Sequence, residues 1–188
     1  MTLRVTAFFV IAAATIAASP PPVTERDRVA MVRELDQLCS WTGLRRLTDL
    51  RDLQPWKRPR DSGCSAKVDL ALDGKRRHYK LNFAQYHGSL KICNFIPDDY
   101  EWYGVGIGFD TLKDPAARAF ALAAVKKLNE HLHWKWKFGP EIQRAGGDIL
   151  VSYETVSPKD PNYALYIDPY VSFLVSPKGT VFAGFFGA

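Results

Sequence analysis

The chain is poor in the residues and motifs that announce chemistry. Its only cysteines are Cys39, Cys64 and Cys93, and no two of them form C-x-x-C. Gaps of 25 and 29 residues fit neither a zinc site nor a thioredoxin-like motif, so no cysteine-based metal or dithiol centre is expected. G-x-S-x-G is absent, and Ser62, Ser89, Ser152 and Ser172 have no base nominated beside them, which argues against a serine nucleophile. Residues 102–109 alternate as G-x-G-x-G, but without the glycine spacing and strand-turn-helix setting of a dinucleotide fingerprint. No cofactor is expected.

Long apolar runs are missing as well. The longest, residues 5–18, is shorter than the roughly 20 residues a helix needs to cross a bilayer. Nor is there a long block of one charge. The net charge of +5 is spread over the chain, a balance that favours an acidic partner over nucleic acid, which is not expected as a ligand.

What the N-terminus does have is Arg4, the apolar run and then Ser19-Pro20-Pro21-Pro22, the three-part plan of a secretory signal. Small residues at Thr15 and Ala17 place the cut after Ala17, and no nearby cysteine offers a lipid anchor. The expectation is a signal peptide over residues 1–17 and one α+β domain over 18–188, periplasmic or extracellular, with no membrane span after cleavage. With 47% hydrophobic and 13% aromatic residues, a chain of this length can build its own core.

Thr24 ahead of Glu25 and Asp27 predicts a helix N-terminus, and Val29, Val32, Leu35, Leu38, Cys39 and Thr42 mark an apolar stripe running to a stop at Gly43. Residues 44–62, rich in Arg, Asp and Pro, read as an irregular connection with one helical turn at 44–50. The period then becomes two. Ala66, Val68, Leu70 and Leu72 alternate with Lys67, Asp69 and Ala71 up to Asp73-Gly74, a hairpin dipeptide. The return strand puts Tyr79, Leu81 and Phe83 on one face and His78, Lys80 and Asn82 on the other. A turn at His87-Gly88 leads into residues 90–95, completing a three-stranded meander.

A further strand at 102–109, a second helix opened by Asp114-Pro115, a loop between Gly139-Pro140 and Gly146-Gly147, and closing strands at 149–156, 164–175 and 180–186 complete the reading. The expected fold class is α+β: a mainly antiparallel sheet, made of the three-stranded meander plus the C-terminal strands, with two main helices packed on one face. The two halves share an order of elements without sharing residues.

In an oxidising compartment two cysteines are expected to pair. With Val68 opposite Tyr79 and Phe83 opposite Ile92, Cys93 faces away from the Leu81 side while Cys39 and Cys64 face the same layer, so a Cys39–Cys64 bridge is predicted.

The densest candidate binding segment is Trp134-Lys135-Trp136-Lys137-Phe138, which in a strand separates an aromatic face from a basic one. His131 and His133 just before it lack a third ligand, so no metal is expected. Acid–base candidates are Asp98, Asp99, Glu101, Asp110 and Glu154, and a cysteine nucleophile would need His78 or His87 as base. The leading expectation is an exported binding protein without catalysis, recognising a protein or an anionic envelope component in the manner of inhibitors and immunity proteins. The alternatives are a cell-envelope hydrolase, with Asp110, His131, His133 and Glu154 converging in a cleft, and a structural or chaperone-like subunit that adds its last strand to another chain.

Overall fold

A computed structural model describes residues 20–57, 62–86, 88–100, 109–132, 140–154 and 170–186. Thr24 starts the first helix, α1 (Glu25–Thr42), by a reciprocal pair of bonds: Asp27 N donates to Thr24 Oγ1 over 3.2 Å, and Thr24 N donates to Asp27 Oδ2 over 2.9 Å. Gly43, at φ +83°, ends it. The buried stripe is Met31, Glu34, Leu35, Leu38 and Thr42, rotated from the expected one, so that Val29 is 63% exposed. In the second helix, α2 (Pro115–Leu132), Asp114 Oδ1 accepts from Ala116 N, and Ala121, Val125 and Leu128 point inward. Phe120, expected in that stripe, lies at its rim.

The strands are β1 (Arg45–Arg46), β2 (Arg51–Lys57), β3 (Ser62–Leu72), β4 (Lys75–Tyr86), β5 (Ser89–Pro97), β6 (Phe109–Thr111), β7 (Glu141–Ala145), β8 (Asp148–Glu154), β9 (Tyr170–Val175) and β10 (Val181–Phe186). All pair antiparallel in one sheet of order β1-β3-β4-β5-β10-β9-β8-β7-β6, with β2 sharing the outer edge of β3 with β1. The protein is thus a mainly antiparallel sheet with two helices, an α+β fold. Helix α1 lies against β5, α2 against β8 and β9, and the helices touch each other. No helix among the described residues is long and apolar enough to cross a membrane.

Two runs of the same order, α1 then β2–β5 and α2 then β7–β10, meet where β5 pairs β10. One row of side chains crosses the join: Ala66, Leu81, Phe95, Gly184, Phe173, Val151 and Ile142 stand opposite one another on consecutive strands. Its side chains are almost wholly buried, and each large one contributes about 1.5–3 kcal/mol through removal from water. Because β10 is paired on both sides, the last strand is not an edge, and the expected edge addition through it is not available.

Within the stretch 44–62, the described residues 44–57 differ from expectation. Instead of a helical turn and an irregular connection they form β1 and β2, with Pro55 tolerated because β2 is an outer strand that needs no donor on its free side. The stretch between Gly139-Pro140 and Gly146-Gly147, expected as a loop, is β7, turned back into β8 by Gly146 at φ +62°. The signal segment, the bulk of the expected strand at 102–109, and Trp134, Lys135, Trp136, Lys137 and Phe138 lie outside the described residues.

The predicted Cys39–Cys64 bridge is absent. Cys64 Sγ stands 3.4 Å from Met31 Sδ instead. Met31 precedes Cys39 by eight residues, about 12 Å along a helix, whereas a disulfide needs Cα atoms within about 7 Å. Facing the same layer was correct for Cys64, but its level along the helix was two turns off. Cys93 sits where the β4–β5 register shifts between Asn82 and Phe83, and its thiol donates to Asn82 O over 3.3 Å.

Candidate functional site

Alternation along β3 and β4 divides the sheet into two unlike surfaces. Cys64, Ala66, Val68 and Leu70 with Tyr79, Leu81 and Phe83 are buried on the side where α1 packs. On the side turned away from α1, pairing lines up residues in rows across strands. Arg45, Ala71 and Arg76 make the first, Asp69 and His78 the next, then Arg51, Lys67 and Lys80, then Gln54, Ser65 and Asn82. The cations of this surface are Arg45, Arg51, Lys67, Arg76 and Lys80. Its acids are Asp69 and Asp52, the latter beside Lys67.

Asp69 organises the surface from beneath. Its carboxyl is 2% exposed, and it accepts from Arg51 Nη2 and from Arg76 Nη2, with Arg76 Nε at 2.8 Å. His78 Nδ1 is 2.8 Å from Oδ1; an ionised carboxylate only accepts, so this nitrogen carries the proton. Thr48 completes the arrangement: its Oγ1 accepts from Asp69 N over 3.0 Å and from Arg51 Nη1 over 3.2 Å. Donation by Arg51, then His78, then Arg76 holds the Asp69 carboxyl far below the usual carboxylate range, against the opposing pull of desolvation. The partners stay in solvent, Arg76 at 61% and His78 at 64% side-chain exposure. Lys80 has no ion-pair partner among the described residues.

Two of the catalytic candidates, Asp110 and Glu154, stand apart in the described sheet. Asp110 pairs with Arg144 on β7 and through it with Ile149 on β8, while Glu154 lies five residues further along β8, about 17 Å away at strand rise. His131 is in the last turn of α2, and His133, Glu101 and His87 are outside the described residues. Asp99 pairs with Arg77. His78 is bound to Asp69 on the surface opposite buried Cys64, so these two form no nucleophile–base pair. Ser152 and Ser172 share a hydroxyl–hydroxyl bond of 2.9 Å. Among the described residues no three His, Cys, Asp or Glu side chains gather as a metal site. An open cleft of about 540 Å³, between Pro20, Pro22, Glu25, Arg28 and Leu53, lies where the chain enters α1, with Glu25 as the single carboxylate among its lining residues.

Sequence reasoning placed Lys67, Asp69, His78, Lys80 and Asn82 on outward faces without gathering them into a site. The Asp73-Gly74 turn held the missing signal, because its register sets Asp69 opposite His78 and Lys67 opposite Lys80. Arg51 carries no such signal, since the Arg, Asp and Pro residues around it resemble an irregular connection. No protein-family model, curated protein or solved structure matches the chain, so the site stands on its own geometry.

Proposed function

We propose that the chain is an exported binding protein without catalysis, and that it holds an acidic partner against the surface of β2–β4 turned away from α1. One observation carries this reading: the cations Arg45, Arg51, Lys67, Arg76 and Lys80 share one face of the sheet, three of them on adjacent strands in a single row. The buried carboxylate of Asp69 fixes Arg51 and Arg76 in place, so less side-chain freedom is lost on binding. Among the described residues both helices lie on the other side, and Arg45, Lys67, Arg76, His78 and Lys80 are exposed on this one. Export rests on the leader sequence and accounts for a partner drawn from the cell envelope or exterior.

The deciding experiment compares the mature chain with a Lys67→Ala/Lys80→Ala variant in capture of acidic envelope material at low and high salt. Saturable capture is expected, weakened by salt and by the variant, because exposed charge pairs are screened over a Debye length of about 10 Å at 0.1 M. Capture that ignores both would refute the reading. N-terminal mass analysis of secreted material is expected to begin at Ala18; an intact Met1 in the cytosol would refute export.

A further inference from the structure

Resting on that reading, we infer that the acidic partner is a linear acidic polysaccharide lying across β2, β3 and β4. Adjacent strands are about 4.8 Å apart, so Arg51, Lys67 and Lys80 place one cation per strand along a line perpendicular to the strands, Arg51 bonded to Asp69, Lys67 beside Asp52 and Lys80 without an acid partner among the described residues. Beside that line, Gln54, Ser65 and Asn82 run parallel to it, again one side chain per strand. A chain stretched along these rows meets charge on one flank and neutral hydrogen-bonding groups on the other.

The chemistry of the two rows differs, and a sugar polymer answers both. Carboxylates or sulfates only accept hydrogen bonds and suit lysine and arginine. Sugar hydroxyls donate and accept, as do the amides of Gln54 and Asn82 and the hydroxyl of Ser65. An acidic polypeptide meets the first row with Asp and Glu carboxylates, which donate nothing, and must turn its backbone amides to the second. Single-stranded nucleic acid supplies charge, but its bases seek a run of aromatic stacking partners, whereas neither row contains an aromatic residue and the row beside them offers Trp56 alone, laid against Gly63. Groups spread over three adjacent strands suit a long ligand held at many points better than a small one enclosed in a pocket.

The test uses the mature chain and three probes in solution calorimetry: polygalacturonate, poly-L-glutamate of matched charge, and neutral dextran. Polygalacturonate is expected to bind about tenfold more tightly than poly-L-glutamate, and dextran not to bind. Lys67→Ala/Lys80→Ala is expected to weaken both polyanions alike, whereas Ser65→Ala/Asn82→Ala is expected to erase the preference and leave poly-L-glutamate binding unchanged. Equal binding of the two polyanions, or a preference untouched by Ser65→Ala/Asn82→Ala, would overturn the polysaccharide while leaving an acidic partner in place. Binding of neither polyanion would overturn both readings. Should the double variant lose its fold, the wild-type ranking of the two polyanions decides by itself.

Discussion

Gly184 on β10 lies directly opposite Phe95 on β5, and a Cβ at Gly184 would stand 2.4 Å from Phe95 Cε1. The missing side chain is what lets the aromatic ring lie across the join between the two halves of the sheet. Phe95 is fully buried, so its ring cannot turn toward solvent without giving up that burial.

Gly184→Ala is therefore expected to destabilise the protein by about 1–3 kcal/mol, the usual effect of overfilling a packed core. Thermal unfolding would show this as a fall of about 2–4 °C for each kcal/mol in a chain of this size. Gly147→Ala is the control, because nothing lies within 4 Å of the added atom. An unchanged midpoint for Gly184→Ala would mean that the halves do not rely on this close approach.

The join also shows what pattern reading can reach. Asp73-Gly74 makes the β3–β4 turn, and the register with Val68 opposite Tyr79 follows from it as expected. Phe83 pairs with Ile92 as expected too, yet beyond the bulge at Cys93 the pairing shifts by one and Asn82 meets Asn94. Alternation reports which way a side chain faces; it carries no mark for an inserted residue. Helix starts at Thr24 and Asp114 were legible because capping is local chemistry. Strand β2 was hidden because its Arg, Asp and Pro residues resemble a loop until the edge of β3 pairs with them. The site suffered for the same reason: half of its framework, Thr48 and Arg51, comes from that hidden stretch.

Asp69 should set the acid limit of stability. Its folded carboxyl is held below the ordinary value of 3.8, so it favours the fold whenever it is ionised in both states. That contribution is complete above the unfolded value and is lost progressively as pH falls below about 4 toward the lower folded value. Asp69→Asn keeps the shape but removes the charge that Arg51, Arg76 and His78 surround. The variant is expected to unfold at lower temperature at pH 7 and to lose less on acidification to pH 2 than the wild type. Parallel melting curves across that range check the sign, and a difference that grows toward low pH would contradict it.

Cys39 and Cys64 should behave as two separate, sluggish thiols. Burial pushes both up to about 11, assisted by Asp36 beside Cys39 and Asp27 near Cys64. The thiolate is the reactive form, so iodoacetamide at pH 8 is expected to label both slowly in the folded chain and rapidly after denaturation. Non-reducing peptide mapping of the same material should return the two residues in peptides not joined to each other. A Cys39–Cys64 crosslink would require α1 to slide along the sheet by about 12 Å.

Tyr79 offers the opposite kind of test, a substitution expected to cost nothing. The residue is fully buried opposite Val68, and its hydroxyl has no hydrogen-bond partner among the described residues. Burial accordingly drives its ionisation well above the usual tyrosine range. A hydroxyl taken out of water without a partner opposes folding, by about 1–3 kcal/mol on mutational scales, so deleting it removes a penalty. Against this stands only the small space the oxygen leaves, which a neighbouring side chain can fill in part. Tyr79→Phe is expected to match or exceed the wild type in denaturant midpoint with an unchanged slope, whereas Tyr79→Ala, which empties the site, should lose about 3–5 kcal/mol. A marked loss in Tyr79→Phe would show instead that the hydroxyl is bonded in solution.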